Sequence, residues 1–130
     1  MPVGQQYHCV ANRLRLRGAR RLPAFLRASF ASAAAARATP GNVRVRLLGL
    51  PPLLTFFTLS IWESEDAVRR FLETPEHREA AGHMDDWARD GQLVRFASTT
   101  PRVRWRIALR HLRSDAVVEH QPQAPTVAST

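Results

Sequence analysis

The sequence predicts an α+β fold in which four antiparallel strands form a sheet and two helices cover one of its faces. Three observations lead to this prediction. The chain has 130 residues, enough for one domain that buries about two-thirds of its unfolded surface. Its composition, 45% hydrophobic and 23% charged, is that of a globular protein. Its apolar residues follow a pattern of strand, helix, strand, strand, helix and strand.

The first three elements follow from the period of the apolar residues. Residues 7–17 alternate between two sides, which predicts a strand, and Asn12 interrupts its apolar side. Over residues 22–38 the apolar residues recur at steps of three and four, as in an amphipathic helix. Pro23 fits the first turn of that helix, where a missing N–H costs little. Residues 42–50 alternate again and predict a second strand.

Capping and turn signals define the middle of the chain. Residues 54–63 are apolar on both faces, which predicts a central strand that pairs with the second strand as a hairpin. Ser64 is a suitable N-cap for the helix that follows. Thr74 and Pro75 predict that this helix ends and a new one begins, and the new helix is expected to run to about Arg89.

The C-terminal part predicts further strands and a tail. Residues 92–99 are expected to form the fourth strand. At residues 102–107 apolar residues alternate with arginines, which predicts an extension of that strand or a separate edge strand. We expect a domain over residues 5–113 and a flexible C-terminal tail over residues 114–130.

This order of elements is that of a ferredoxin-like βαββαβ sandwich, with both helices on one face of the sheet. Apolar residues of the predicted strands also point to the opposite face of the sheet, which these two helices leave uncovered. We therefore expect a second subunit to cover that face.

The net charge is +8, and all 19 basic residues are arginine. Arginine binds carboxylates and phosphates through a forked guanidinium group. No nucleic-acid-binding motif accompanies the charge, so we expect no nucleic-acid partner. Seven arginines alternate along the predicted strands, where they fit solvated edges or a rim that holds an acidic ligand. These are Arg13, Arg15, Arg44, Arg46, Arg102, Arg104 and Arg106.

Several classes of protein are excluded or not expected. The single cysteine, Cys9, cannot form an internal disulfide or a cysteine-rich metal site, and we expect no metal site. No apolar run matches a signal peptide or a membrane span, so we expect a cytoplasmic protein. Glycine-rich phosphate loops and dinucleotide fingerprints are absent from the sequence, so we expect neither flavin nor nicotinamide.

Residues 55–81, TFFTLSIWESEDAVRRFLETPEHREAA, resemble the antibiotic biosynthesis monooxygenase superfamily of dimeric α/β barrels. The shared pattern is a strand that ends in Trp-Glu-Ser, an acidic helical turn, an aromatic residue and a restarted helix with a histidine. In this chain it is carried by Trp62, Glu63, Ser64, Phe71 and His77. The helix restart is also similar to the spheroidene-monooxygenase-like branch. The resemblance implies a homodimer with a pocket between sheet and helices, and its members include cofactor-free oxygenases and haem enzymes.

Three residues are candidates for catalysis. His77 lies at the start of the restarted helix, where the helix dipole favours a neutral imidazole, and is the candidate base. The resemblance implies that Asn12 reaches a substrate oxygen, and we expect Asn12 and Trp62 to position and stabilise a substrate anion. If the protein bound haem instead, His77 would be the axial ligand and the arginines would hold the propionates. Structural roles for the same residues are a histidine packed at the kink, an amide satisfied in the core and a tryptophan in the core.

The expected substrate-binding side chains are Phe57, Phe71, Met84 and Trp87, each of which would also serve as core. We predict a small monooxygenase of secondary metabolism that acts on an aromatic, polyene or polyketide-type substrate with no cofactor. A haem-binding monooxygenase or haem-degrading protein is one alternative. A non-redox cyclase or a non-catalytic binding protein on the same fold is the other.

Overall fold

A computed structural model describes residues 6–115 and 117–120. Its elements, in chain order, are β1 (Tyr7–Leu16), α1 (Leu22–Ala38), β2 (Asn42–Leu50), β3 (Thr55–Trp62), α2 (Glu65–Leu72), α3 (Pro75–Gly82), α4 (Met84–Trp87), β4 (Ala88–Ser98), α5 (Trp105–Asp115) and β5 (Val117–His120). The first four strands and the helices between them follow the predicted βαββαβ order.

The strands form one antiparallel sheet in the order β2–β3–β1–β4–β5. The predicted hairpin of β2 and β3 is confirmed, and β3 lies inside the sheet as predicted. Strand β5 lies within the span 114–130 that the sequence assigned to the tail. Residues 116 and 121–130 of that span lie outside the described residues.

Helices α1 to α4 cover one side of the sheet, which we call the helix face. Side chains of alternate residues on β1 and β3 point to it, and they pack with the helices in two apolar clusters. One cluster has Leu16, Phe25, Phe56 and Trp87 at its centre. The other has Ala36, Trp62, Ala67 and Val68 at its centre.

The opposite side of the sheet is covered by α5 of the same chain, and we call it the α5 face. Its buried core consists of Cys9, Ala11, Leu59, Ile61, Val94, Val103, Ala108 and Leu112. The prediction of a strand over residues 102–107 is therefore wrong. Ala108 and Leu112 are four residues apart on one face of a helix, and burying that face against the sheet outweighs a short alternating run. The apolar surface that we expected a second subunit to cover is packed by the chain itself.

Side-chain caps begin α2 and α3 as the sequence predicts. The Ser64 hydroxyl accepts a hydrogen bond from the Ala67 N–H at 3.1 Å, and the Thr74 hydroxyl accepts one from the His77 N–H at 3.3 Å. The prediction of a helix from Pro75 to Arg89 is wrong beyond Gly82.

The reason is that pairing with β1 takes over from the helix at this point. Helix α4 is a single turn, and the Trp87 carbonyl accepts a hydrogen bond from the Arg17 N–H at 2.9 Å. Ala88 already pairs with Leu16. Asp90 lies within β4 and forms ion pairs with Arg13 and Arg15 of β1.

A glycine turn holds α2 against the end of α1. Gly41 has a φ of 96°, a region that residues with a Cβ rarely adopt. A Cβ added there would lie 2.5 Å from the Cβ of Ala67, a fully buried residue of α2. The Gly41 carbonyl also accepts a hydrogen bond from the Glu63 N–H at 2.8 Å. Only glycine therefore fits between the start of β2 and the start of α2.

Candidate active site on the helix face

Three of the predicted site residues form a continuous stack of rings on the helix face. The Trp62 indole at the end of β3 lies 5.4 Å from the Phe71 ring of α2, measured between ring centroids, with 28° between their planes. The Phe71 ring lies 4.9 Å from the His77 imidazole of α3, at 65°. The hairpin-to-helix connection thus brings together a predicted base, a predicted substrate-binding ring and a predicted anion-stabilising group. We call these three residues the ring stack.

Partial burial favours the neutral form of the His77 imidazole. It is partly buried beside Phe71, and burial lowers its pKa below the usual value of 6.5 because the charged form loses solvation. A hydrogen bond with the backbone of Leu72 acts in the opposite direction but is the smaller effect. A neutral imidazole at pH 7 can accept a proton, so the geometry is compatible with a general base.

The Trp62 indole N–H has no hydrogen-bond acceptor among the described residues. The side chain is fully buried, and its Nε1 atom is one of a few buried polar atoms without a partner. Leaving such a donor unpaired costs about 1–3 kcal/mol. A ligand oxygen that accepts this hydrogen bond would recover part of that cost.

A cleft of about 170 Å³ lies at the end of the sheet, and its lining contains none of the three ring-stack residues. His8, Val10, Glu65, Val68 and Arg95 contribute to its lining. His8 is the cross-strand partner of Trp62, and both Val10 and Val68 pack in the Trp62 cluster. The cleft, which we call the His8 cleft, therefore shares a wall with the buried indole.

The sequence allowed His8 to face the pocket but favoured a surface or dimer contact for it, and Arg95 was not considered. The strand alternation was the available signal, because His8 lies on the same side of β1 as Val10 and Asn12. Arg95 of β4 pairs with Val10 of β1 and lines the same cleft. No ion pair to the Arg95 guanidinium is found in the part of the chain that the structure describes, so it is available to an anionic group.

Asn12 lies further along the helix face and is paired with Thr58. The two residues are cross-strand neighbours, and the Thr58 hydroxyl donates a hydrogen bond to Asn12 Oδ1. Asn12 is four residues along β1 from His8, a spacing of about 13 Å. The backbones of Asn12 and Trp62 therefore lie at different levels of the sheet.

The structure separates the other predicted substrate-binding residues from the ring stack. Met84 and Trp87 pack in the cluster at the far end of the helix face, where the His83 ring stacks on Trp87 at 4.6 Å. Phe57 lies on the α5 face, with its ring 6.5 Å from that of Trp105. Phe57 and the ring stack are thus on opposite sides of the sheet.

The arginine rows are also on the side away from His77. Arg13 and Arg15 pair with Asp90 at 3.8 and 3.4 Å, and Arg46 lies over the Trp105 ring at 5.7 Å. These arginines lie on the opposite side of the sheet from His77, so they cannot hold the propionates of a haem bound to it. Residues 6–115 and 117–120 hold no group of three or more His, Cys, Asp or Glu side chains that could bind a metal ion. They also contain no helix long and apolar enough to span a membrane.

Solved structures share this fold. A Nitrosomonas europaea protein assigned provisionally to the antibiotic biosynthesis monooxygenases matches with a TM-score of 0.65 and 16% identity, over 79% of this chain and 99% of that chain. SnoaB of Streptomyces nogalater, described as a cofactor-independent oxygenase, matches with a TM-score of 0.57 and 24% identity, over 75% of this chain and 96% of SnoaB. A Bacteroides thetaiotaomicron protein matches with a TM-score of 0.64 and 15% identity, over 75% of this chain and 94% of that chain. These likenesses concern the fold.

The family is shown by the sequence. No curated protein matches the chain. The sequence pattern of the family described as antibiotic biosynthesis monooxygenase matches residues 8–82, from β1 to the end of α3. This span is more than half of the chain and contains the ring stack, His8 and Asn12. The match is to the family as a whole, and the spheroidene-monooxygenase-like branch stays a prediction. The chain belongs to the antibiotic biosynthesis monooxygenase family.

Proposed function

We propose that this protein is a monooxygenase that oxidises an electron-rich aromatic substrate on the helix face, without flavin, nicotinamide or haem. The observation that carries the proposal is the buried, unpartnered N–H of Trp62, in a ring stack that ends in the neutral imidazole of His77. Family membership supports the class of reaction. The description of SnoaB as a cofactor-independent oxygenase supports the absence of a cofactor.

The chemistry needs one base and one donor to a developing anion. The His77 imidazole takes a proton from an activated CH₂ group of the substrate. The Trp62 N–H donates to the substrate oxygen on which the negative charge collects. The anion passes one electron to dioxygen, and the resulting radical pair forms a C–O bond. Loss of water, with the proton that His77 held, leaves a ketone.

This sequence balances without an external reductant. The CH₂ group and one dioxygen give one C=O group and one water, so one oxygen atom enters the product. All four electrons come from the substrate. That balance is why the proposal needs neither flavin nor nicotinamide.

The rest of the helix face would fix the orientation of an elongated substrate. The His8 cleft contacts its polar end, where Arg95 has no described carboxylate partner. The amide of Asn12, about 13 Å along β1 from His8, contacts the opposite end. Phe57 has no part in this arrangement, because it lies on the α5 face.

The test is oxygen uptake with an anthrone as substrate and ¹⁸O₂ as label. We expect one dioxygen consumed per quinone formed, with one labelled oxygen in the product, from protein treated with a chelator. Conversion of the substrate without oxygen uptake would contradict the proposal and favour a cyclase. A saturable Soret band on titration with haemin, lost in His77→Ala, would contradict it in favour of a haem protein.

We also propose that the protein acts as a homodimer, as the family resemblance implies, and in the cytoplasm, as the sequence analysis predicts. Because α5 covers the face that two sheets would otherwise share, the partner would have to pack on α5 or along an edge strand. Light scattering on the purified chain measures the mass, and a monomer at micromolar concentration would contradict the dimer.

A further inference from the structure

The loop between β4 and α5 is built as a rigid support for arginines. The Ser98 hydroxyl donates to the Thr100 carbonyl at 2.7 Å and accepts from the Thr100 N–H at 3.1 Å. The Thr100 hydroxyl accepts from the Arg102 N–H at 3.1 Å. Val103, only 4% exposed, anchors the loop in the core of the α5 face. Arg102 and Arg104, on either side of Val103, are exposed and extend outward from this backbone.

These arginines surround a cleft of about 270 Å³, which we call the arginine cleft. Its lining consists of Ser98, Thr100, Arg102, Val103, Arg104, Arg106 and Ile107. The lining thus has three guanidinium groups, two hydroxyl groups and no carboxylate. Such a set can bind an anion with several oxygen atoms, because each guanidinium can donate two parallel hydrogen bonds.

The positive charge of the arginine cleft is not neutralised locally. Residues 91–114 contain six arginines and no acidic residue. Some arginines elsewhere in the described chain do have carboxylate partners: Arg13 and Arg15 pair with Asp90, and Arg69 and Arg70 pair with Asp66. No described side chain forms such a pair with the arginines of the cleft. Three neighbouring cations repel one another, and a bound anion would remove that repulsion.

The start of α5 adds to the positive potential. This helix has 11 residues, and its first turn contains no acidic residue. Its unpaired N–H groups carry the positive end of the helix dipole beside the arginines. From the cleft, Arg106, Arg110 and Arg113 continue at steps of four and three, so they form one exposed stripe along α5.

We propose that the arginine cleft is a binding site for a small phosphorylated molecule with at least two phosphate groups. One phosphate lies in the cleft, between the three guanidinium groups and the hydroxyl of Thr100. The second lies at the start of the stripe, near Arg106. The site is on the α5 face, so it is separated by the sheet from the ring stack and does not depend on the proposed oxygenase reaction.

The test is calorimetric titration of the full chain with inorganic pyrophosphate, at low ionic strength and again in 0.15 M salt. We expect saturable binding of one pyrophosphate per chain that is tighter than inorganic phosphate and weakens with salt. Arg104→Gln and Arg102→Gln should each weaken binding about tenfold, as for loss of one charge-assisted hydrogen bond. Amide signals of Ser98 and Thr100 should shift in a parallel NMR titration.

Two variants with the same loss of charge serve as controls. Arg27→Gln, on α1 beyond the sheet, and Arg113→Gln, at the far end of the stripe, should each change binding less than twofold. Absence of saturable binding, or an equal effect of Arg104→Gln and Arg27→Gln, would overturn the proposal. Binding of a single-stranded decanucleotide is measured with the same variants. If Arg113→Gln weakens it as strongly as Arg104→Gln does, the proposal is overturned and the surface is a nucleic-acid surface. All four substituted arginines are exposed, and thermal melting checks that each variant folds.

Discussion

The Trp62 indole and the Phe71 ring lie almost parallel, with 28° between their planes and 5.4 Å between their centroids. Only nine residues separate them, and the Ser64 cap fixes the turn from β3 into α2. The stack is therefore defined by local structure, and a substitution in it can be compared with the same substitution elsewhere in the fold.

Trp62→Phe should keep the ring contact with Phe71 and remove the indole N–H. We expect turnover to fall about a hundredfold, because one donor to the substrate anion is lost. The matched control is Trp105→Phe on the α5 face, which removes the same atoms and should leave turnover within twofold. Steady-state oxygen uptake measures both. Equal effects of the two substitutions would show that Trp62 acts only through packing.

His77→Ala should lower turnover by about a hundredfold or more if the imidazole is the base. His83→Ala is the control, since His83 is exposed and pairs with Glu79 on the outer surface of the helices at 3.1 Å. Turnover of His83→Ala should stay within twofold of the parent protein. Near-normal turnover of His77→Ala would remove His77 from the mechanism, and His8 would be the next histidine to test.

The protonation of His77 should appear in pH profiles. Burial lowers its pKa in the folded chain, so the unfolded chain binds the proton more tightly. The free energy of unfolding should therefore rise with pH from the lowered pKa up to about 6.5. Above pH 6.5 the contribution of His77 should no longer change with pH. Urea denaturation of the parent and of His77→Gln should show a difference that depends on pH in that window. Parallel curves would contradict the prediction.

The pH dependence of turnover should also report the protonation of His77. Activity that needs the neutral imidazole should fall as pH decreases through a midpoint below 6.5. A midpoint at or above 6.5 would point to another base.

Gly41→Ala should destabilise the fold by about 3 kcal/mol, from the positive φ and from contact with Ala67. Gly18→Ala is the matched control, because Gly18 has extended backbone and nothing within 4 Å of an added Cβ. We expect its free energy of unfolding to change by less than about 0.5 kcal/mol. Urea denaturation measures both, and similar values for the two variants would refute the role of the Gly41 turn.

The sequence was sufficient where one local signal decided the structure. The limits of α1 and β2 and the caps at Ser64 and Thr74 are those predicted, since propensity, capping and period agree there. The segment at α5 shows the opposite case. Val103, Trp105 and Ile107 alternate like a strand, and only the later positions of Ala108 and Leu112 reveal the helical period.

The site was predictable in part for the same reason. Trp62, Phe71 and His77 are close in sequence, so the pattern that identified them also places them together. The His8 cleft joins β1, α2 and β4, and Arg95 comes into it through strand pairing over a long sequence distance. No local pattern marks such a residue. Phe57 was assigned by residue type alone, and strand alternation places it on the opposite face.

The position of α5 has a consequence for how the chain is made. Its residues Ala108 and Leu112 pack against Cys9 and Ala11 of β1, which precede them in the chain by about a hundred residues. Strand β1 also pairs with β3 and β4, both later in the chain. The central strand therefore stays without its partners until these later elements have been synthesised, and contacts of this range make folding slow. We expect the domain to fold only after α5 has left the ribosome, and β1 to need protection until then.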